Sequence, residues 1–237
     1  MDATSPNEIR DVLVVGASRG LGEAIVEEYV ARGAHVVATV RGDAPNPLRA
    51  FAATRPGDVE VEQVDVTAQG DLVALRERLA PRMFDVLFVV AGVSLAPQEQ
   101  PGADIADADF DTMMRTNVLG VMRTVETLQD LVPPTGTIAV MSSGQGSVSA
   151  NTTGGFEVYR ATKAALNQMF RSYAARHADE ARSLLLLAPG WVRTALGGPG
   201  ASLEVGEAIP PLLDVVAAQR GRAGLQFLDR HGDPIPW

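Results

Sequence analysis

The chain has 237 residues, 46% hydrophobic and 21% charged, and a net charge of −9. That is enough apolar material for the core of one large α/β domain and too much for a disordered chain. The absence of cysteine excludes disulfides, thiol catalysis and thiolate metal sites. The acidic balance, with no cluster of Lys and Arg, argues against a nucleic-acid partner. No apolar run of about 18 residues suggests a membrane span. The opening MDATSPNEIRD is polar and carries acids, unlike a signal peptide, so a soluble, cytoplasmic protein is expected. His35, His177 and His231 are scattered without ligand spacing, so no metal site is expected.

In chain order, Asp11 to Val15 (DVLVV) reads as a buried strand. It runs into the glycine-rich turn Gly16-Ala-Ser18-Arg19-Gly20-Leu21-Gly22 and then a helix to about Arg32, which Gly33 stops. His35 to Val40 is a second strand, 48–54 a helix, Val59 to Val64 a third strand and 70–80 a helix. Asp85 to Val90 is a strongly apolar fourth strand. Phe110, Met113, Met114, Val118, Val121, Met122, Val125 and Leu128 keep helical spacing, which predicts one long helix over 107–131 ended by Pro133-Pro134. Thr137 to Met141 is a fifth strand. A helix carries Tyr159 to about Ala178, and Ser183 to Ala188 is a sixth strand. A helix over 203–219 and a last strand at 225–228 complete the pattern. Strands alternating with helices imply a doubly wound, Rossmann-type parallel sheet of about seven strands with helices on both faces. With no repeat, linker or composition break, residues 1–237 are expected to form a single domain.

Two stretches carry chemistry. Glycines between a first strand and a helix let a phosphate approach free backbone N–H groups and the helix dipole, which points to nucleotide binding. Tyr159 and Lys163 stand one turn apart on one helix face. An ammonium held near a phenol favours the phenolate, so the Tyr159 pKa is expected to fall below its usual value of roughly 10. Such a phenol can trade a proton with a substrate oxygen.

With GASRGLG at the first turn, Asn117 in the long helix, Ser143 after the fifth strand and Tyr159-Arg-Ala-Thr-Lys163, the chain resembles the short-chain dehydrogenase/reductase family. NTTGGFEVYRATKAALN, APGWVRTALGGPGA and LQFLDRHGDPIPW look like its C-factor and sniffer-like carbonyl reductase branch. The resemblance implies an oxidoreductase that reduces a ketone or aldehyde to an alcohol, or the reverse. In it, Tyr159 exchanges the proton, Lys163 lowers its pKa and binds the nicotinamide ribose, and Ser143 polarises the carbonyl. Asn117 would hold a water in a relay to Lys163. Ser142 is the rival of Ser143. A non-catalytic NADP(H)-binding regulator, or an isomerase or dehydratase, are the alternatives on the same scaffold.

For the cofactor, the resemblance places Gly16, Ser18, Arg19, Gly20, Leu21 and Gly22 at the phosphates, and Asp65 and Val66 near the adenine. Ala91 and Gly92 lie along the cofactor, with Pro189, Gly190, Val192 and Thr194 on the nicotinamide side. The second strand ends in Val40-Arg41 where an NAD-type acid would stand. Arg41 and Arg19 suit a 2′-phosphate, so NADP(H) is favoured over NAD(H). Val90 replaces an Asn that usually ties neighbouring strands. The loops Val93–Pro97, Gly144–Phe156 and Trp191–Gly206 should line the pocket. Their small and apolar residues, with Trp191 and Phe156, hint at an apolar or aromatic carbonyl substrate. A homodimer or homotetramer is expected, joined through the long helix and the Tyr159 helix.

Overall fold

The computed structural model describes residues 9–237, so residues 1–8 of the polar opening lie outside the described residues. One sheet of seven parallel strands has the order β3-β2-β1-β4-β5-β6-β7. The strands are β1 (Asp11–Val15), β2 (His35–Val40), β3 (Val59–Gln63), β4 (Val86–Val89), β5 (Thr137–Met141), β6 (Ser183–Ala188) and β7 (Gly224–Asp229). The helices are α1 (Leu21–Ala31), α2 (Pro47–Ala53), α3 (Gln69–Leu79), α4 (Asp107–Met114), α5 (Val121–Leu128), α6 (Glu157–Arg176) and α7 (Val205–Gln219).

Central strands that are covered on both faces need apolar residues at every position, which is why they read as unbroken apolar runs rather than as alternation. β4, β5 and β6 are buried at every residue. Alternate side chains of β1 supply two separate cores. Leu13 and Val15 pack with Leu72, Leu75, Val125, Leu166 and Phe170, from α3, α5 and α6. Val12 and Val14 pack with Ile25, Tyr29, Leu212 and Val216, from α1 and α7. The resulting Rossmann-like domain puts the ends of β1, β4, β5 and β6 along one edge, where β1 sits between β2 and β4 and the winding reverses. No helix among the described residues is long and apolar enough to cross a membrane.

The single helix expected over 107–131 is instead α4, a π-helical segment Arg115–Gly120, α5 and a 3-10 turn Gln129–Leu131. Apolar spacing alone does not register a widened turn, because the stripe of buried residues resumes after it. The segment holds the fully buried Asn117, and Gly120 lies so close to Val66 that a Cβ there would come within 3.0 Å of the Val66 carbonyl oxygen. Widened turns of this kind often accompany functional positions.

At the opposite edge, Asp85 ties three elements together. Its carboxylate accepts hydrogen bonds from the Arg10 and Asp11 N–H groups at 2.8 and 3.1 Å and from Arg220, just past α7, at 2.8 Å. Removing the carboxylate takes this acceptor from all three donors, of which the Arg220 guanidinium is the most buried. Asp85→Ala is therefore expected to lower unfolding free energy by about 2 kcal/mol, read as a lower urea midpoint with an unchanged slope.

Candidate active site

The glycine turn follows β1. Gly16 has φ 97°, and a Cβ there would lie 2.6 Å from the Ala91 nitrogen, so only glycine lets the chain leaving β4 pass so near. β2 secures the turn: Thr39 Oγ1 accepts from Gly16 N at 3.1 Å and its carbonyl from Ala17 N at 2.8 Å. The cap of α1 is Gly20, with no side-chain bond to the first helical turn, which leaves orphan N–H groups for an anion. Ser18 is half-buried and Leu21 packs against the α1 face of the core. Arg19 and Arg41 are both exposed, and neither forms a hydrogen bond or ion pair among the described residues. The turn therefore offers backbone donors that fit the pyrophosphate of a dinucleotide.

The remaining expected cofactor positions gather less evenly. Val90 and Ala91 both donate backbone N–H to the Val15 carbonyl, at 2.8 and 3.1 Å, so the strand tie expected to be lost with the missing Asn is made by backbone. Gly92 lies between Asn117 and Lys163; a Cβ there would stand 3.5 Å from Asn117 Oδ1 and 3.7 Å from Lys163 Nζ. Asp65 uses its carboxylate on Thr67 N and Oγ1, at 2.8 and 2.7 Å, while Val66 is buried. After β6, Gly190 has φ 92° and Val192 is buried and bridges to Leu203, with Pro189 preceding them. Thr194 accepts from Gly197 N at 3.0 Å and approaches the Gly20 turn, where a Cβ would lie 3.6 Å from its methyl.

The four candidate catalytic residues converge around the end of β5 and the start of α6. Ser143 caps a short 3-10 turn, Gly144–Gly146, accepting from Gln145 N at 3.1 Å. The Ser143 hydroxyl stands close enough to the Tyr159 phenol to act against the rise in its pKa. Lys163, 3% exposed, donates to the Met141 carbonyl at 2.9 Å and stands 5.7 Å from the Tyr159 ring centroid. Ser142 differs from its neighbour: it is buried and donates to Asn167 Oδ1 at 2.6 Å, so its hydroxyl is tied into the packing of α6.

Asn117 is neither capping nor solvent-facing. Its side chain accepts from Val93 N at 2.7 Å and donates to the Val93 carbonyl at 2.8 Å and to Thr162 Oγ1 at 3.1 Å. Its amide is thus committed to holding the chain beyond β4, and its contact with the lysine runs only past Gly92.

The expected fall of the Tyr159 pKa is not found. Burial pushes it up to about 12, offset in part by the Ser143 hydroxyl. The same burial lowers Lys163 to about 8. Stripping water from both groups outweighs their mutual attraction, and the ammonium is turned toward a backbone carbonyl.

A cavity of about 510 Å³ has walls that include Gln98, Gln145, Phe156, Arg160 and Trp191; Gln145 and Arg160 are close neighbours in the chain of Ser143 and Tyr159, but neither of those two residues lines it. Residues 98–100 line it, rather than the expected 93–97. Asn117 pins Val93, and Phe156 N donates to the Gln98 carbonyl at 2.7 Å.

Three supporting residues escaped the sequence reading: Thr39, Thr162 and Asn167. Asn167 had a usable signal, since it stands four residues beyond Lys163, on the face shared with Tyr159. Thr39 and Thr162 look in sequence like ordinary strand and helix residues.

The short chain dehydrogenase family model matches residues 10–201. A short-chain dehydrogenase/reductase from Burkholderia multivorans, solved with bound NADP, is 48% identical, with a TM-score of 0.94 over 97% of this chain and 100% of that one. A carbonyl reductase from Pseudomonas aeruginosa PAO1, in complex with NADP, is 34% identical, with a TM-score of 0.88 over 97% and 100%. C-signal of Myxococcus xanthus is 32% identical over 158 residues, 65% of this chain and 92% of that protein. The sheet order agrees with these matches: the chain belongs to the short-chain dehydrogenase/reductase family, as an oxidoreductase of the C-factor and carbonyl reductase type.

Proposed function

We propose that this oxidoreductase uses NADP(H), in preference to NAD(H), to interconvert a carbonyl compound and its alcohol. The observation that carries the reading is the buried Lys163 one helical turn from the buried Tyr159, with the Ser143 hydroxyl acting to lower the phenol's pKa and a cavity walled by Gln145, Phe156 and Arg160, their close neighbours in the chain. The bound cofactor supplies or accepts the hydride at the carbonyl carbon.

The chain's own residues manage the oxygen and its proton. Ser143 donates a hydrogen bond to the carbonyl oxygen and orients it toward Tyr159. The phenol, neutral at physiological pH because burial holds its pKa high, donates its proton as the oxygen becomes an alkoxide. Lys163 holds the nicotinamide ribose and, when protonated, stabilises the phenolate left behind. Asn117 positions the chain after β4 through Val93. The unpaired Arg19 and Arg41 support recognition of a 2′-phosphate, and two similar structures hold NADP. Exposed Leu119 and Met169, on the face where α5 and α6 run together, support a homodimer or homotetramer. A cytoplasmic location and one domain across the chain complete the reading.

NADPH oxidation against a panel of ketones and aldehydes tests the function; no turnover of any, despite tight NADPH binding, would favour a nucleotide-sensing protein. Tyr159→Phe is expected to lower kcat by about 100-fold or more with little change in NADPH affinity. Arg19→Ala with Arg41→Ala should weaken NADPH binding by about tenfold or more while leaving NADH binding nearly unchanged, as read by parallel calorimetric titrations. The chain has three tyrosines, and burial raises the pKa of each, to about 12 for Tyr159 and Tyr173 and higher still for Tyr29. Ultraviolet titration of the cofactor-free protein is thus expected to show no phenolate at pH 10, where an exposed tyrosine is half-ionised. Because the folded values are raised, these tyrosines make stability fall as pH climbs through the window from about 10 to 12.

A further inference from the structure

We propose that Trp237 is a positioning residue: it straps the segment that joins Ser143 to Tyr159 onto the body of the domain, and so fixes the cavity wall formed by residues 153–156. This rests on the carbonyl-reductase reading above, with that cavity as the place of the substrate. Loosening the strap weakens substrate capture and leaves cofactor binding alone.

After β7 the chain folds back along the strand. The Asp229 carboxylate closes the turn, accepting from His231 N and Asp233 N at 2.8 and 3.0 Å. Leu228 then bridges to Pro234, and Ile235 N donates to the Phe227 carbonyl at 2.9 Å. This course brings Trp237 against Phe227, with ring centroids 5.6 Å apart, and beneath the Arg171 guanidinium of α6, 4.6 Å from the Trp237 ring centroid. A ring held between another ring and a cation has little freedom. The main-chain oxygen of Trp237 then accepts two hydrogen bonds from one residue of the β5–α6 connection, from Ser149 N at 3.1 Å and from Ser149 Oγ at 2.5 Å.

Different anchors hold the two halves of that connection. Toward Ser143 the turn is fixed without Trp237, because the Gly146 carbonyl accepts from Asn167 Nδ2 at 3.2 Å. Toward Tyr159, Gly154, Gly155 and Phe156 have φ of 66°, 71° and 51°. Left-handed backbone is disfavoured for phenylalanine and persists only where its surroundings hold it. One end of this run is held by Arg160, which donates to the Gly154 and Gly155 carbonyls, and by the bond from Phe156 N to Gln98. The other end is reached through Asn151, whose side chain accepts from Gly154 N at 3.1 Å and whose N–H donates to the Val148 carbonyl at 3.3 Å. Ser149 lies between Val148 and Asn151, and Trp237 ties it to β7 and α6. Cutting the strap therefore leaves Ser143 in place while the wall at 153–156 loses order.

The test pairs fast-quench hydrogen exchange with steady-state kinetics on Trp237→Ala, Trp237→Phe and Ser149→Ala. Trp237→Ala should speed exchange at the Ser149 and Gly154 amides and raise KM for the carbonyl substrate by about fivefold, with kcat and the NADPH dissociation constant within about twofold of native. Trp237→Phe keeps a ring between Phe227 and Arg171 and should restore most of the native KM. Ser149→Ala removes one exposed hydroxyl and should move KM in the same direction; it carries the test if Trp237→Ala does not fold. An unchanged KM in both alanine variants, or unchanged exchange at those amides, overturns this proposal alone. A joint fall of kcat, NADPH affinity and urea midpoint does so too, since it marks a general structural role. No NADPH oxidation by the native protein with any member of the carbonyl panel overturns the reductase reading and this proposal together.

Discussion

Everything in the site depends on α6 being held down on the turn that follows β5. Asn167 does this from inside the helix, accepting from Ser142 through one side-chain atom and donating to the Gly146 carbonyl through the other. Lys163 adds a third tie, from its ammonium to the Met141 carbonyl. Both donors and acceptors are buried, where an unmade hydrogen bond is costly and a made one leaves little freedom. Ser143 is the one residue in this stretch left with its hydroxyl toward the phenol of Tyr159, because the residues on either side of it are fixed to the helix or the turn.

That arrangement explains the electrostatics as well as the geometry. A helix packed this closely excludes water from both Tyr159 and Lys163, so the phenol resists losing its proton and the ammonium resists keeping one. Losing water costs each charged form more than the other group returns, because the Lys163 ammonium is bonded to the Met141 carbonyl rather than to the phenol oxygen. The free site is therefore set to give a proton rather than to take one. A negative charge on the phenol oxygen needs positive charge brought close to it, from the protonated lysine or from a bound cofactor.

The same logic of commitment separates structural from available polar groups elsewhere at the sheet edge. Asn117, Ser142, Thr39 and Asp65 all satisfy neighbours within the chain. Arg19 in the glycine turn and Arg41 after β2 satisfy none among the described residues, and the Gln145 amide oxygen is enclosed without a partner. In an acidic chain, two unpaired guanidinium groups on neighbouring strand ends are available for an anion.

The doubly wound sheet was legible in the residues alone, because strands covered on both faces are largely apolar, and DVLVV, TIAVM and SLLLLA are apolar after their first residue. The sequence by itself also determined the glycine turn and the Tyr159–Lys163 spacing, since both are local: a close backbone approach needs glycine, and one helical turn needs four residues. What only the tertiary structure decided was everything set by contacts between distant segments. The π-helical turn at Asn117 answers to Val93 and Val66, the distinction between Ser142 and Ser143 answers to Asn167, and the direction of the tyrosine pKa answers to burial by surrounding elements. The make-up of the cavity was hidden for the same reason: its walls come from loops far apart in the chain, and only their packing shows which residues meet there.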